Sequence, residues 1–147
     1  MNREIKFRGK RVDNGEWVYG YYEIFNTNKE LTHQIYDIDA PNPFIKNGGQ
    51  WLIVIPETVG QYTGLKDKNG IELYEGDILS VLIPYPKDNP HYEDYIIQWF
   101  NEWTDIRNNK HNEASFEAYN RDKSNFIISD VWHRYEKIGN IHDKEVK

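Results

Sequence analysis

The chain has no cysteine, a single methionine and no long apolar run among its 147 residues. Without cysteine it can form no disulfide, no thiolate zinc site and no cysteine nucleophile. The longest apolar run, from Ile78 to Pro84, is interrupted by Ser80 and is far shorter than the ~20 residues that span a bilayer. The N-terminal residues lack the apolar core of a signal peptide, so we expect a cytoplasmic protein that does not use a membrane.

Positive charge is also scarce, because the formal net charge is −6. A protein that coats nucleic acid normally carries a basic face, so this balance argues against general DNA coating. The charge is uneven, however. Residues 1–20 contain five cationic and three acidic side chains, whereas residues 85–105 contain one cationic and five acidic side chains. The basic end can attract an anionic partner or the acidic stretch of a second copy.

Aromatic residues are abundant, with eleven tyrosines, six phenylalanines and five tryptophans. Such side chains suit the half-buried pleated surface of a sheet. They exceed what one small core readily covers, and two lobes built from short strands leave sheet edges that need protection. The composition therefore predicts a homo-oligomer.

Many short strands separated by turn signals predict a mostly β fold with little helix. We expect an N-terminal β-meander or hairpin lobe, residues 1–60, packed on a C-terminal SH3-like small β-barrel lobe, residues 61–147. In the first lobe, Asn14-Gly15 predicts a two-residue type I′ turn within a hairpin over residues 4–25. Gly20 suggests a kink, a bulge or a close backbone approach. Further strands are expected over residues 31–38, 51–55, 78–83, 95–100, 115–119, 126–132 and 135–141, with a loop or poor helix over 101–113.

The segment from Gly60 to Leu79, GQYTGLKDKNGIELYEGDIL, is the most informative part of the chain. It contains two tight-turn signals, Lys68-Asn69-Gly70 and Glu75-Gly76-Asp77, followed by a strand. We expect Asp77 to accept hydrogen bonds from nearby backbone amides and so to fix the start of that strand. The segment predicts a structural signature rather than an active site, made of Gly60, Tyr62, Gly64, Asp67, Gly70, Tyr74, Gly76 and Asp77.

Three further motifs accompany this signature: IKFRGKR at 5–11 with NGEWVYG at 14–20, IPETV at 55–59, and IGNIHD at 138–143. Together they resemble the YopX family of phage and prophage proteins. The resemblance implies a phage or prophage origin, hence a bacterial host cytoplasm, and a mostly β fold. It implies no established biochemical activity and supplies no catalytic residues. Residues 84–135 carry no feature of the family.

Candidate chemistry is weak elsewhere in the chain. The loop with His91, Glu93 and Asp94 could present a metal-binding group. Asp130 and His133, three residues apart, could form an acid–base dyad. The signature contains a group of three carboxylates. A solvated loop, a surface pair and turn chemistry explain these residues better, so we predict no catalytic residue, no metal site, no cofactor and no enzyme activity. The three carboxylates of the signature are Glu72, Glu75 and Asp77.

The basic residues of the first strand give the one binding signal. Lys6, Arg8 and Lys10 share a face, with Arg11 following, and aromatic side chains of the second strand can lie beside them. Single-stranded nucleic-acid binders combine a cationic track with stacking rings. Our leading hypothesis is a non-enzymatic phage accessory protein that binds itself and a host or phage protein. The alternative is a nucleic-acid-binding module that uses the basic hairpin at Lys6, Arg8, Lys10 and Arg11.

Overall fold

The structure is a computed structural model that describes residues 5–28, 30–46, 48–100, 103–104, 110–111, 115–124, 126–127 and 129–143. These residues form β-strands, turns and two short 3₁₀ helices, Pro56–Thr58 and Ser129–Arg134. The chain divides into two compact units, the first running to Tyr62 and the second beginning at Thr63.

The first unit is built on an antiparallel sheet. Its strands are β1 (Phe7–Lys10), β2 (Trp17–Thr27), β3 (Glu30–Asp37), β4 (Gln50–Ile53) and the first residues of β5 (Gly60–Lys66). Their order in the sheet is β4-β3-β2-β1-β5. An isolated bridge also joins Arg11, just after β1, to Val54, just after β4.

The core of the first unit comes from alternate positions on these strands. Val18, Ile35, Leu52 and Val54 are buried, and Phe7, Tyr22, Ala40 and Val59 pack against them. The alternation arises because successive side chains on a strand point to opposite faces of the sheet. One face of the sheet therefore covers the core, and the other carries the neighbouring residues of the same strands.

The β1–β2 hairpin has a longer loop than the sequence predicts. Lys10 is opposite Trp17, and the backbone N–H of Arg11 donates to the Glu16 carbonyl at 2.9 Å, which leaves Val12 to Gly15 as the loop. The expectation of a two-residue turn was therefore wrong. Gly15 takes the positive φ of 72° that the Asn-Gly signal indicated. The Asn14 side chain accepts from the Glu16 N–H at 2.9 Å, which stabilises a four-residue loop instead.

Gly20 marks the point at which β2 changes partner. Residues up to Gly20 pair with β1, and residues from Tyr21 onward pair with β3. A Cβ atom at position 20 would overlap the carbonyl oxygen of Tyr36. The close backbone approach that the sequence suggests is therefore present, and it requires glycine at this position.

The second unit contains the remainder of β5 and a five-stranded antiparallel sheet. Apart from β5, this unit contains β6 (Glu72–Tyr74), which pairs with β5, and the strands of the five-stranded sheet. Those strands are β7 (Asp77–Ile83), β8 (His91–Phe100), β11 (Ser115–Asn120), β12 (Phe126–Ile127) and β13 (Glu136–Asn140). The sheet order is β12-β11-β8-β7-β13. A two-stranded ribbon joins β9 (Trp103–Thr104) to β10 (Lys110–His111). The rest of the predicted loop or poor helix over 101–113 lies outside the described residues.

The core of the second unit centres on Trp132, which is completely buried. The buried residues around it are Leu73, Leu79, Val81, Tyr95, Ile97, Phe116 and Ala118. Trp132 lies on the 3₁₀ helix Ser129–Arg134, although the sequence predicts a strand as far as this residue. That prediction was wrong over residues 129–132. The indole N–H of Trp132 donates to the Ile127 carbonyl at 3.4 Å, so the chain turns back over the end of β12.

The prediction of a mostly β fold is confirmed, because the described residues contain strands and no α-helix. The SH3-like barrel is not confirmed. Across the described ranges, the five-stranded sheet is open and ends at β12 and β13. No helix in the described part of the chain has the length and apolar character to cross a membrane.

Candidate functional site

The first turn of the signature is organised by Asp67, which is only 4% exposed. Its Oδ1 accepts from the backbone N–H groups of Asn69 and Ile71 at 2.8 and 2.9 Å. Its Oδ2 accepts from the backbone N–H of Lys137 at 2.9 Å. Gly70 completes the turn with a φ of 78°. One buried carboxylate therefore joins the turn to β13, which lies seventy residues further along the chain.

Asp67 is ionised in spite of its burial. Burial alone would raise its pKa, since it disfavours the charged form. The N–H groups of Lys137, Ile71 and Asn69, with the positive charge of Lys137, outweigh that effect and hold the pKa below its ordinary value. Hydrogen bonds to an ionised acceptor are stronger than those between neutral groups, so these three bonds offset the cost of burying the carboxylate.

The second turn of the signature surrounds Asp77, which is fully buried. Its Oδ2 accepts from the Tyr74 backbone N–H at 2.7 Å and lies 3.3 Å from the Lys137 ammonium. Its Oδ1 accepts from the Asn140 side-chain amide at 3.2 Å. Gly76, with a φ of 92°, precedes it. The carboxylate thus fixes the start of β7, as the sequence suggests, and holds β13 as well.

A β-bulge in β13 brings both partners to Asp77. The register of β13 against β7 shifts between Lys137 and Gly139. Residues three apart on a regular strand point to opposite faces, whereas one extra residue in a bulge returns them to the same face. Lys137 and Asn140 can therefore both contact the same carboxylate. Gly139, inside the predicted strand 135–141, is the signal that could have indicated this bulge, because glycine within a strand often marks one.

The remaining signature residues lie on β5 and β6. Gly60 is buried and pairs with Arg8, and Tyr62 is 6% exposed in the first unit. Gly64 has a φ of 85°, and Tyr74 is 1% exposed. None of these residues presents a reactive group to solvent. A structural role for the signature, rather than a reaction site, stays a prediction.

The four cationic residues of the predicted anion site contact rings or a carboxylate. The Arg8 guanidinium lies 4.5 Å and the Lys10 ammonium 5.3 Å from the centre of the Trp17 ring. The Lys6 ammonium lies 4.9 Å from the centre of the Tyr62 ring, and Arg11 forms an ion pair with the exposed Asp13 at 2.6 Å. All four cationic side chains therefore have contacts within the first unit. Arg8 and Lys10 are 1% and 4% exposed.

A buried cation cannot reach a phosphate without rearrangement, so this placement gives no exposed cationic track along β1. The predicted neighbourhood of rings and cations is nevertheless present, because Trp17 lies beside two of the basic side chains. These cation–π contacts stabilise the strand itself. Nucleic-acid binding by this strand stays a prediction.

The candidate metal group at His91, Glu93 and Asp94 does not converge. His91 lies 3.4 Å from Glu93 through Nε2, and Asp94 instead pairs with Arg121 at 2.9 Å. No group of three His, Asp or Glu side chains in the described ranges is placed to hold a metal ion. His133 lies on the 3₁₀ helix Ser129–Arg134, and the side chain of Asp130 is outside what the structure describes.

An exposed cluster of rings lies on the outer face of the first unit. Tyr21 is opposite Tyr36, which is opposite Trp51 on the next strand, so the three side chains share a face. Trp51 packs against Tyr36 at 5.3 Å and edge-on against Phe25 at 5.2 Å between ring centres. With Ile53 these residues form what we call the aromatic face.

Much of this aromatic face is open to solvent. Tyr21 is 66% exposed, Ile53 52% and Trp51 38%. Sequence reasoning noted that the aromatic residues exceed what one small core covers, but it did not bring Tyr21, Tyr36 and Trp51 together on one face. Their alternation with the buried Ile35 and Leu52 could have indicated a second exposed face, had the pairing of β2, β3 and β4 been known.

The sequence and the fold are similar to those of known proteins. The family model described as YopX protein matches residues 6–145, almost the whole chain. The crystal structure of protein EF1440 from Enterococcus faecalis is similar in fold, with a TM-score of 0.50 and 21% sequence identity. That alignment covers 99% of this chain and 100% of the other. No curated protein matches the sequence.

Proposed function

Since the chain belongs to the YopX family, we propose that it is a phage or prophage accessory protein that acts by binding other proteins rather than by catalysis. It works in the cytoplasm of the bacterial host and associates first with further copies of itself. The aromatic face of the first unit carries this proposal.

The physical argument rests on exposed apolar area. Tyr21, Trp51 and Ile53 are contiguous with Phe25 and Tyr36, so the apolar surface is a patch rather than a set of scattered side chains. Patches of this kind commonly mark interaction sites. Tyrosine and tryptophan are also enriched in interfaces, because each buries a large ring and keeps one polar group for a hydrogen bond.

Sedimentation velocity at rising micromolar concentration tests the proposal. We expect the wild-type chain to sediment increasingly faster than a 17.6 kDa monomer as concentration rises. Tyr21→Ser should weaken association by about tenfold or more, since truncating a central aromatic hot spot costs about 2 kcal/mol or more. Tyr92→Ser is the matched control, because Tyr92 is 70% exposed and lies on β8 of the second unit.

Two results would overturn the proposal. A single 17.6 kDa species at every concentration would show that the aromatic face does not self-associate. Equal weakening by Tyr21→Ser and Tyr92→Ser would place any association elsewhere. The nucleic-acid alternative is tested alongside by adding a labelled single-stranded oligonucleotide, whose co-sedimentation would favour the basic hairpin instead.

A further inference from the structure

A cleft opens at one end of the aromatic face, at the point where the pairing partner of β2 changes from β1 to β3. Its volume is about 600 Å³. Tyrosine rings and carboxylates line it, over a floor at Gly20 that carries no side chain; they are Tyr19, Tyr21, Tyr36, Asp37 and Asp39. We call this feature the acidic aromatic cleft.

The rings of the cleft are held by the sheet. Tyr19 and Tyr21 are two apart on β2 and so point to one face, and Tyr21 is directly opposite Tyr36. The Tyr36 hydroxyl accepts from the backbone N–H of Gly49 at 2.9 Å, which fixes the direction of its ring. A site whose walls are already positioned loses little conformational freedom when a ligand binds.

The carboxylates lie at the end of β3. Asp37 Oδ1 accepts from the backbone N–H of Asp39 at 2.9 Å, and this turn brings both side chains to the cleft. In the part of the chain that the structure describes, no lysine or arginine forms an ion pair with either of them. Asp39 is exposed and Asp37 half-buried, so both are accessible to a ligand.

Lys6 also lines the cleft, so one cation is present beside the two carboxylates. Its ammonium lies over the Tyr62 ring, 4.9 Å from the ring centre, and Tyr62 is not part of the cleft. The cleft therefore combines electron-rich rings with an excess of negative charge. Both features attract a cation, and neither attracts an anion.

We propose that the acidic aromatic cleft receives an arginine or lysine side chain of a partner protein. The cation would lie against the tyrosine rings while Asp37 and Asp39 supply the opposite charge. The chain already uses this chemistry internally, where Arg8 and Lys10 lie over Trp17. The proposal rests on the protein-binding role above and names the chemistry of the partner at one end of the aromatic face.

A polypeptide fits better than a small amine. A second groove of about 480 Å³ shares Ile38 and Asp39 with the cleft and is also lined by Ala40, Pro41, Asn42, Ile45, Lys46 and Gly48. The two together offer a track for an extended segment on either side of the cationic residue. Recognition of an extended segment with one anchoring side chain is a common binding mode of β-rich proteins.

Nitrogen-15 NMR titration with short capped peptides tests the inference. The probe is Gly-Gly-Arg-Gly, and the matched control replaces its arginine with citrulline, which keeps the shape and removes the charge. We expect the arginine peptide to shift the amide signals of Gly20, Tyr21 and Ile38 and to bind at least tenfold more tightly than the citrulline peptide. Salt at about 0.5 M should weaken the binding, because accessible charges are screened.

Variants of the protein locate the contact. The double variant Asp37→Asn with Asp39→Asn keeps the oxygen that accepts from the Asp39 N–H and should reduce arginine-peptide affinity at least tenfold. Asp88→Asn, in an exposed loop of the second unit, is the control and should bind as the wild type does. Equal binding of the two peptides, unchanged affinity in the double variant, or no shift at the cleft would each overturn the inference.

The peptide titration and the sedimentation experiment together separate this inference from the proposed function. If the peptide does not bind but Tyr21→Ser still weakens self-association, only the cleft assignment fails. If the arginine peptide binds at the cleft while the wild-type chain remains a monomer, the cleft assignment holds and self-association fails.

Discussion

Replacing Asp77 with alanine removes the acceptor for two buried donors, the Tyr74 backbone N–H at 2.7 Å and the Asn140 amide at 3.2 Å. A buried donor left without its acceptor costs about 1–3 kcal/mol. Lys137, whose ammonium lies 3.3 Å away, is 20% exposed and can turn to water, so its loss adds little. We expect the free energy of unfolding to fall by about 3 kcal/mol. For a chain of this length that lowers the melting temperature by about 6–12 °C.

Guanidinium denaturation and thermal melting followed by circular dichroism measure this loss. Asp77→Asn keeps one side-chain acceptor but loses the charge, so it should fall between the wild type and Asp77→Ala. Asp88→Ala removes an exposed carboxylate and should stay within about 0.5 kcal/mol of the wild type. If Asp77→Ala also lies within about 0.5 kcal/mol of the wild type, the reasoning from the buried carboxylate is refuted.

Three further outcomes are expected. Asp67 has a lowered folded-state pKa, so its stabilisation is complete above an unfolded pKa of about 3.9 and is lost as pH falls through the lower folded value. The stability gap between wild type and Asp67→Asn should therefore narrow below about pH 4, and a gap independent of pH would contradict this. Gly70→Ala should cost about 1–2 kcal/mol through its positive φ alone, since a Cβ there meets nothing within 4 Å. Gly70→Asn should cost less in the same denaturation assay, and equal costs would argue against backbone strain. Thermal melting in EDTA should match melting without it, because the described residues hold no cluster of metal ligands; a lower melting temperature would reveal a site.

The strands of the first unit follow from local sequence. Alternation places Phe7, Val18 and Tyr22 towards the core, and a glycine is needed at position 20, where the backbone of β3 approaches. These features depend on neighbouring residues, so a single sequence can indicate them. The length of the hairpin loop could not be predicted in this way, because Asn14-Gly15 is compatible with both a two-residue and a four-residue connection.

The cationic strand shows where local reasoning stops. The alternation of Lys6, Arg8 and Lys10 predicts one shared face but does not say whether that face meets water. Burial of Arg8 and Lys10 is decided by the long-range packing of the strand, which the sequence pattern does not contain. The same limit applies to Trp132, whose indole could belong to a strand or a 3₁₀ helix until its core is known.

By itself the sequence determined a mostly β chain of the YopX family, with turns at Gly15 and Gly70 and a carboxylate at the start of β7. These properties are set by residues within a few positions of one another, where backbone conformation and side-chain alternation decide the structure. Only the tertiary structure decided that Asp67 and Asp77 are joined to β13 and that tyrosines from β2 and β3 meet carboxylates in one cleft. The physical reason is that these contacts depend on strand pairing and on a one-residue bulge in β13, and both bring together residues far apart along the chain.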